Sequence, residues 1–193
     1  SVEQTDACLD WSIQLSRFNE AQKKGNERSI HNAIDRLEAV LGTGSEIPPK
    51  AGGDAILALT TCDSLVAETR RLDLASRVLV KVKPTLTNRQ VKQCVDSLIS
   101  SGNSKRMDCL ARLILGASRQ MAAEETAENV VGRTLLPVLE DSNENIPIVL
   151  KALQCLLSDP LHASAMLAPL TIDITEKWHE DTVTNPLRSR LMR

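Results

Sequence analysis

Ile30, Ala33, Ile34, Leu37, Val40 and Leu41 recur at spacings of three and four, and Gly42 follows directly. That spacing puts all six on one stripe of an α-helix, whereas a strand would need alternation with period two. The pattern returns along most of the chain and predicts an all-α fold. Aromatic content points the same way. With no Tyr, one Phe and two Trp, the core falls to Leu, Ile, Val, Ala and Met, which suit closely packed helices, whereas strands favour aromatic and β-branched residues. The 193 residues, 42% hydrophobic and 25% charged, suffice for one well-buried core or several stacked helical units.

Taken in order, Thr5 or Asp6 is read as capping a first helix with Cys8, Trp11, Leu15 and Phe18 on one face. After the stripe ending at Gly42, residues 42–53 carry four Gly and Pro48-Pro49 and are expected to form the longest loop. Asp54 is read as the cap of a helix running through Ile56, Leu59, Cys62 and Val66, and Asp73 as the cap of one stopped before Pro84. Thr87 or Asn88 opens a helix with Val91, Cys94, Val95 and Leu98, and Ser104 another with Met107, Leu110, Ala111 and Ile114. One or two helices over 123–140 with Pro137 at a first turn or kink, one over 143–157, and one over 161–179 bent at Pro169 complete the expectation.

Four segments share a form: Ala33-Ile-Asp-Arg-Leu-Glu-Ala-Val-Leu41, Leu74-Ala-Ser-Arg-Val-Leu-Val-Lys-Val82, Met107-Asp-Cys-Leu-Ala-Arg-Leu-Ile-Leu115 and Val149-Leu-Lys-Ala-Leu-Gln-Cys-Leu-Leu157. Their starts are 41, 33 and 42 residues apart, near the periods of about 34 to 47 residues of helical-hairpin repeats. Leu135-Leu-Pro-Val-Leu-Glu-Asp141, leading to Val149 and Ala152, resembles a HEAT unit: a first helix with a proline, a turn with Asp, and a second helix. The resemblance is to the armadillo/HEAT architecture and implies a right-handed α-solenoid, with an irregular helical bundle as the alternative. Residues 1–181 are read as one helical-repeat domain and 182–193 as a loosely held tail. The start at Ser1 and the end at Arg193 suggest a domain excised from a longer chain.

No apolar run approaches the roughly 20 residues that span a bilayer, and no basic stretch followed by an apolar one marks a signal peptide. Cys8, Cys62, Cys94, Cys109 and Cys155 are odd in number and include no C-x-x-C pair, so reduced structural thiols in a reducing compartment, cytoplasm or nucleus, are expected. His31 and His162 lack Cys or carboxylate partners at ligand spacing, and His179-Glu180-Asp181 reads as a polar helix end. Gly42-Thr-Gly-Ser-Glu follows a helix and lacks the Gly-Lys-Ser/Thr ending of a phosphate loop. Glu124, Glu125 and Glu128 suit a helix N-terminus. No nucleophile motif, metal motif or dinucleotide fingerprint appears. A non-enzyme without cofactor or metal is the expectation.

One feature carries functional content. From Arg70 to Arg119 there are eleven Lys or Arg against three Asp, whereas 122–181 carries three bases against eleven acids. Arg77 and Lys81 are four apart, Arg89 and Lys92 three, Arg112 and Arg119 seven, so each pair is expected on one helical face, the faces aligning into one basic surface. The structural alternative is that these charges are solvated or neutralise the acidic flanks. As a functional surface they suit an acidic or extended peptide of another protein, and the chain then reads as a scaffold within a larger intracellular assembly. A phosphate-backbone-binding module is the rival, opposed by a pI near 6.0 and by the scarcity of aromatics for base stacking. A regulatory subunit of an enzyme complex is a further alternative, and Trp11 and Trp178 at the two ends raise the prospect of a homodimer.

Overall fold

The computed structural model describes residues 2–62, 64–99, 103–140 and 144–168, without the side chains of 2–5 and 7. Every regular element among them is helical. Helix α1 spans Val2–Lys23, α2 Glu27–Gly42, α3 Pro49–Thr60, α4 Glu68–Val82, α5 Asn88–Leu98 and α6 Ser104–Ala117. After a 3-10 turn, Ser118–Gln120, come α7 (Ala123–Glu125), a π-helical run (Thr126–Leu135) and α8 (Leu136–Glu140) without a break. Then follow α9 (Ile146–Leu157) and a helix α10 over 160–168. Pro137 stands where the π-helical turns end; lacking an N–H, it cannot carry the wide register further.

Local chemistry sets several of these starts. Asn26 caps α2 by accepting from the Ser29 N–H at 3.1 Å. Thr87 and Gln90 form a reciprocal capping box on α5, and Asn103 caps α6. Helices α2, α4, α6 and α9 pack one against the next, and α1, α3 and α5 do the same in a second row. The four similar segments lie on α2, α4, α6 and α9, the helices of the first row. Their first and fifth positions, Ala33 and Leu37, Leu74 and Val78, Met107 and Ala111, Val149 and Leu153, are all buried. Each fully buried Leu or Ile in such a core contributes about 1.5–3 kcal/mol.

The structure moves several expected boundaries. Helix α1 already runs through Thr5 and Asp6, so neither is its cap. The loop after α2 is confined to 43–48, because Pro49 takes the first position of α3, where a missing N–H costs nothing. Gly52, Gly53 and Asp54 are therefore interior to α3, and the two glycines serve packing: a Cβ on Gly53 would stand 2.2 Å from the Thr85 carbonyl oxygen, one on Gly52 2.6 Å from Val82 Cγ1. The chain after α4 lies across them, with the Thr85 N–H donating to the Pro49 carbonyl at 3.0 Å. Helix α3 ends at Thr60, short of Cys62 and Val66. Helix α4 begins at Glu68, so Asp73 is not its cap.

Arg71 explains that early start. The residue is 2% exposed, and its guanidinium donates to the carbonyls of Leu59 at 2.8 Å, Ser64 at 2.5 Å and Val66 at 3.2 Å. It thereby closes the C-terminal end of α3 and pins a loop in which Ala67 holds a left-handed φ of 51°, a conformation that costs a non-glycine residue about 1 kcal/mol or more. Trp11 is fully buried, donating from Nε1 to the Ala51 carbonyl at 3.3 Å, so it belongs to the core and offers no exposed surface to a second copy. Pro169, Trp178, His179 and the tail 182–193 lie outside the described residues.

Candidate partner-binding clefts

The six expected cations do not form one surface; they divide into two clefts. Arg77, Lys81 and Arg112 line a groove of about 470 Å³ between α4 and α6, together with Asp73, Lys105, Asp108 and Glu144. Its neighbour, about 340 Å³, shares Val80 and Arg112 with it and is walled by Leu79, Lys83, Leu86 and Leu115. The pair forms one groove, charged at one end and apolar at the other. At the apolar end Val80 is 55% exposed and Leu115 41% exposed. Arg89, Lys92 and Arg119 line a second cleft of about 430 Å³ between α5 and the start of α7. Arg119 sits on the 3-10 turn beyond α6, so its helical register with Arg112 is broken and it turns to α5's side.

Much of the basic excess is used inside the fold. Arg70 bonds to Asp35 and lies 3.3 Å from Glu38, and Arg77 reaches Glu38 at 3.0 Å and Asp73 at 3.4 Å, so both tie α4 to α2. Arg106 bonds to Glu68 and donates to the Ser97 carbonyl at 3.1 Å, which joins α6 to α4 and to the end of α5. Arg112 pairs with Asp108 at 3.0 Å, within one turn of α6. Lys92 holds Glu125 at 2.5 Å and Asp96 at 3.6 Å; the hydrogen bond to Glu125 raises its pKa. The more exposed of these pairs, such as those of Lys92, are individually weak because solvent screens them. Lys81, Lys83, Arg89 and Arg119 have no ion pair among the described residues.

Lys83 and Lys105 are groove residues that spacing arguments passed over. Lys105 lies seven residues before Arg112, on the same face of α6, a signal that the pairing of Arg112 with Arg119 hid. Lys83 gave no periodic signal, because it follows α4 in a left-handed conformation with φ 49°. Two histidines outside the clefts have structural partners. His31 Nδ1 lies 3.2 Å from Arg70 Nη1 and His162 Nε2 2.9 Å from the Ser118 carbonyl. Burial raises the pKa of Cys94 and pushes the Cys109 thiol up to about 12. Among the described residues no group of three or more His, Cys, Asp or Glu could hold a metal ion, and no helix is long and apolar enough to cross a membrane. No protein-family model, curated protein or solved structure matches this chain.

Proposed function

We propose that the chain is a non-enzymatic scaffold of stacked helical hairpins, a right-handed armadillo- or HEAT-like solenoid, that binds a segment of another protein within an intracellular assembly. The observation that carries this is the groove between α4 and α6. It offers a charged end with Lys81 and Arg112 and an apolar end with exposed Val80 and Leu115, which suits a segment bearing carboxylates and one or two aliphatic side chains. The serial packing of the four similar segments supports the solenoid architecture. Among the described residues no aromatic side chain lines the groove, which favours peptide over nucleic acid.

A random peptide library displayed on phage and panned against the chain tests the proposal. Acidic, aliphatic-containing peptides are expected to enrich and to bind at least tenfold more weakly to a Lys81→Glu/Lys83→Glu chain. Enrichment without acidic residues, or affinity indifferent to that double change, rejects it. Arg77 is unsuitable for this test, because reversing its charge also breaks the tie from α4 to α2.

A further inference from the structure

Among the described residues, no helix after α6 packs closely against α5 to continue the row formed by α1, α3 and α5. Between α5 and residues 119–130 the cleft of about 430 Å³ opens. Its apolar lining is formed by exposed Ala122 and half-buried Met121, backed by the buried Val91, Val95 and Val130. Met121 follows the 3-10 turn, and its unbranched thioether side chain adapts to whatever it touches. The cations Arg89 and Arg119 stand on different walls, one on the first turn of α5 and one on the turn after α6. Between them the Lys92 charge is already met by Glu125 and Asp96.

From this arrangement we infer that the cleft is a second docking site, separate from the α4–α6 groove, for a peptide segment in which an aliphatic anchor is bracketed by single carboxylates. The apolar lining takes the anchor, and Arg89 and Arg119 each receive one carboxylate. A phosphate dianion suits the cleft less well, because Glu125 and Asp96 would face its second charge. Among the described residues, a nucleic-acid base finds no aromatic side chain in the lining to stack on. Two separate sites on one chain let a partner engage through two segments, with an avidity gain set by the linker between them.

The test uses the full chain carrying Lys81→Glu/Lys83→Glu, so that the first groove is disabled, as target for the same displayed library. Peptides with an aliphatic residue flanked by Asp or Glu are expected. In a spectrum of the chain labelled with 13C at its methionine methyls, such a peptide shifts the Met121 signal, assigned by Met121→Leu, and leaves buried Met107 unmoved. Arg89→Glu/Arg119→Glu lowers its affinity at least tenfold without lowering Tm. No enrichment, peptides free of acids, a static Met121 signal, or binding unchanged by the arginine reversal each overturns the second site. None of those results touches the α4–α6 groove, whose failure is read separately in the Lys81→Glu/Lys83→Glu comparison.

Discussion

Replacing Gly53 by Ala sets helix propensity against packing, and the structure says which wins. An interior Gly→Ala change in a helix gains up to about 1 kcal/mol from propensity alone. At Gly53, however, the new Cβ would lie 2.2 Å from the Thr85 carbonyl oxygen, closer than any tolerated contact. Backbone has to move, and the backbone in question is held by the Thr85 N–H bond to the Pro49 carbonyl at 3.0 Å. Overpacking of this kind costs about 1–3 kcal/mol, and loss of that hydrogen bond adds about 1 kcal/mol. The expected net effect is destabilisation by about 1–3 kcal/mol, a fall in Tm of several degrees at about 2–4 °C per kcal/mol for a chain of this size. Gly116→Ala in α6 is the control: nothing lies within 4 Å of its new Cβ, and it should stabilise by about 0.5–1 kcal/mol. Thermal and urea unfolding followed by helical circular dichroism read both. If Gly53→Ala raises Tm as Gly116→Ala does, the close approach of the 82–86 segment to α3 is refuted.

Arg71→Met should cost about 2–4 kcal/mol in urea unfolding, since it strands the buried Leu59 carbonyl and two partly wetted ones; a loss below 1 kcal/mol would reject the role given to Arg71. Arg71→Lys should not restore stability, because one ammonium cannot reach three carbonyls in the geometry of a guanidinium fork. Arg77→Glu should lower Tm through repulsion with Glu38 and Asp73, whereas Lys81→Glu should leave Tm within 1–2 °C, roughly the span of exposed surface changes; equal effects would contradict the ion-pair assignment. A thiol reagent on the native chain at pH 8 should modify Cys8, Cys62 and Cys155 well before Cys94 and Cys109, which are buried. In alkali the Cys109 thiol stays protonated in the fold to about 12 but ionises near 9.0 when unfolded. The unfolded chain then binds fewer protons, so the thiol's contribution makes stability fall as pH rises from about 9 to 12. Cys109→Ala should flatten that slope.

The helices themselves were legible because period carries them: α2, α5 and α6 match their stripes closely, and each starts at a capping Asn or Thr. What local pattern could not show is what a distant residue makes necessary. Gly52 and Gly53 look like loop glycines beside Pro48-Pro49 until the 82–86 segment is laid across them. Arg71 reads as one more surface cation until it is found buried over three carbonyls. The basic run Arg70 to Arg119 was visible as charge, but its meaning depends on partners 30 to 40 residues away, Asp35 and Glu38 for Arg70 and Arg77, Glu68 for Arg106, Glu125 for Lys92. Helical spacing placed Arg77 with Lys81 and Arg89 with Lys92. It failed for Arg119, because the 3-10 turn interrupts the register.

The most direct test of the central claim is a photo-crosslinking residue placed at Val80, in the groove between α4 and α6, in a lysate of the organism that makes the chain. A polypeptide adduct whose crosslinked segment carries Asp or Glu, lost when Lys81→Glu/Lys83→Glu is added and absent when the same residue replaces exposed Ile13 on α1, is the predicted result. Adducts formed only with nucleic acid, or a polypeptide adduct indifferent to the two lysines, would contradict it.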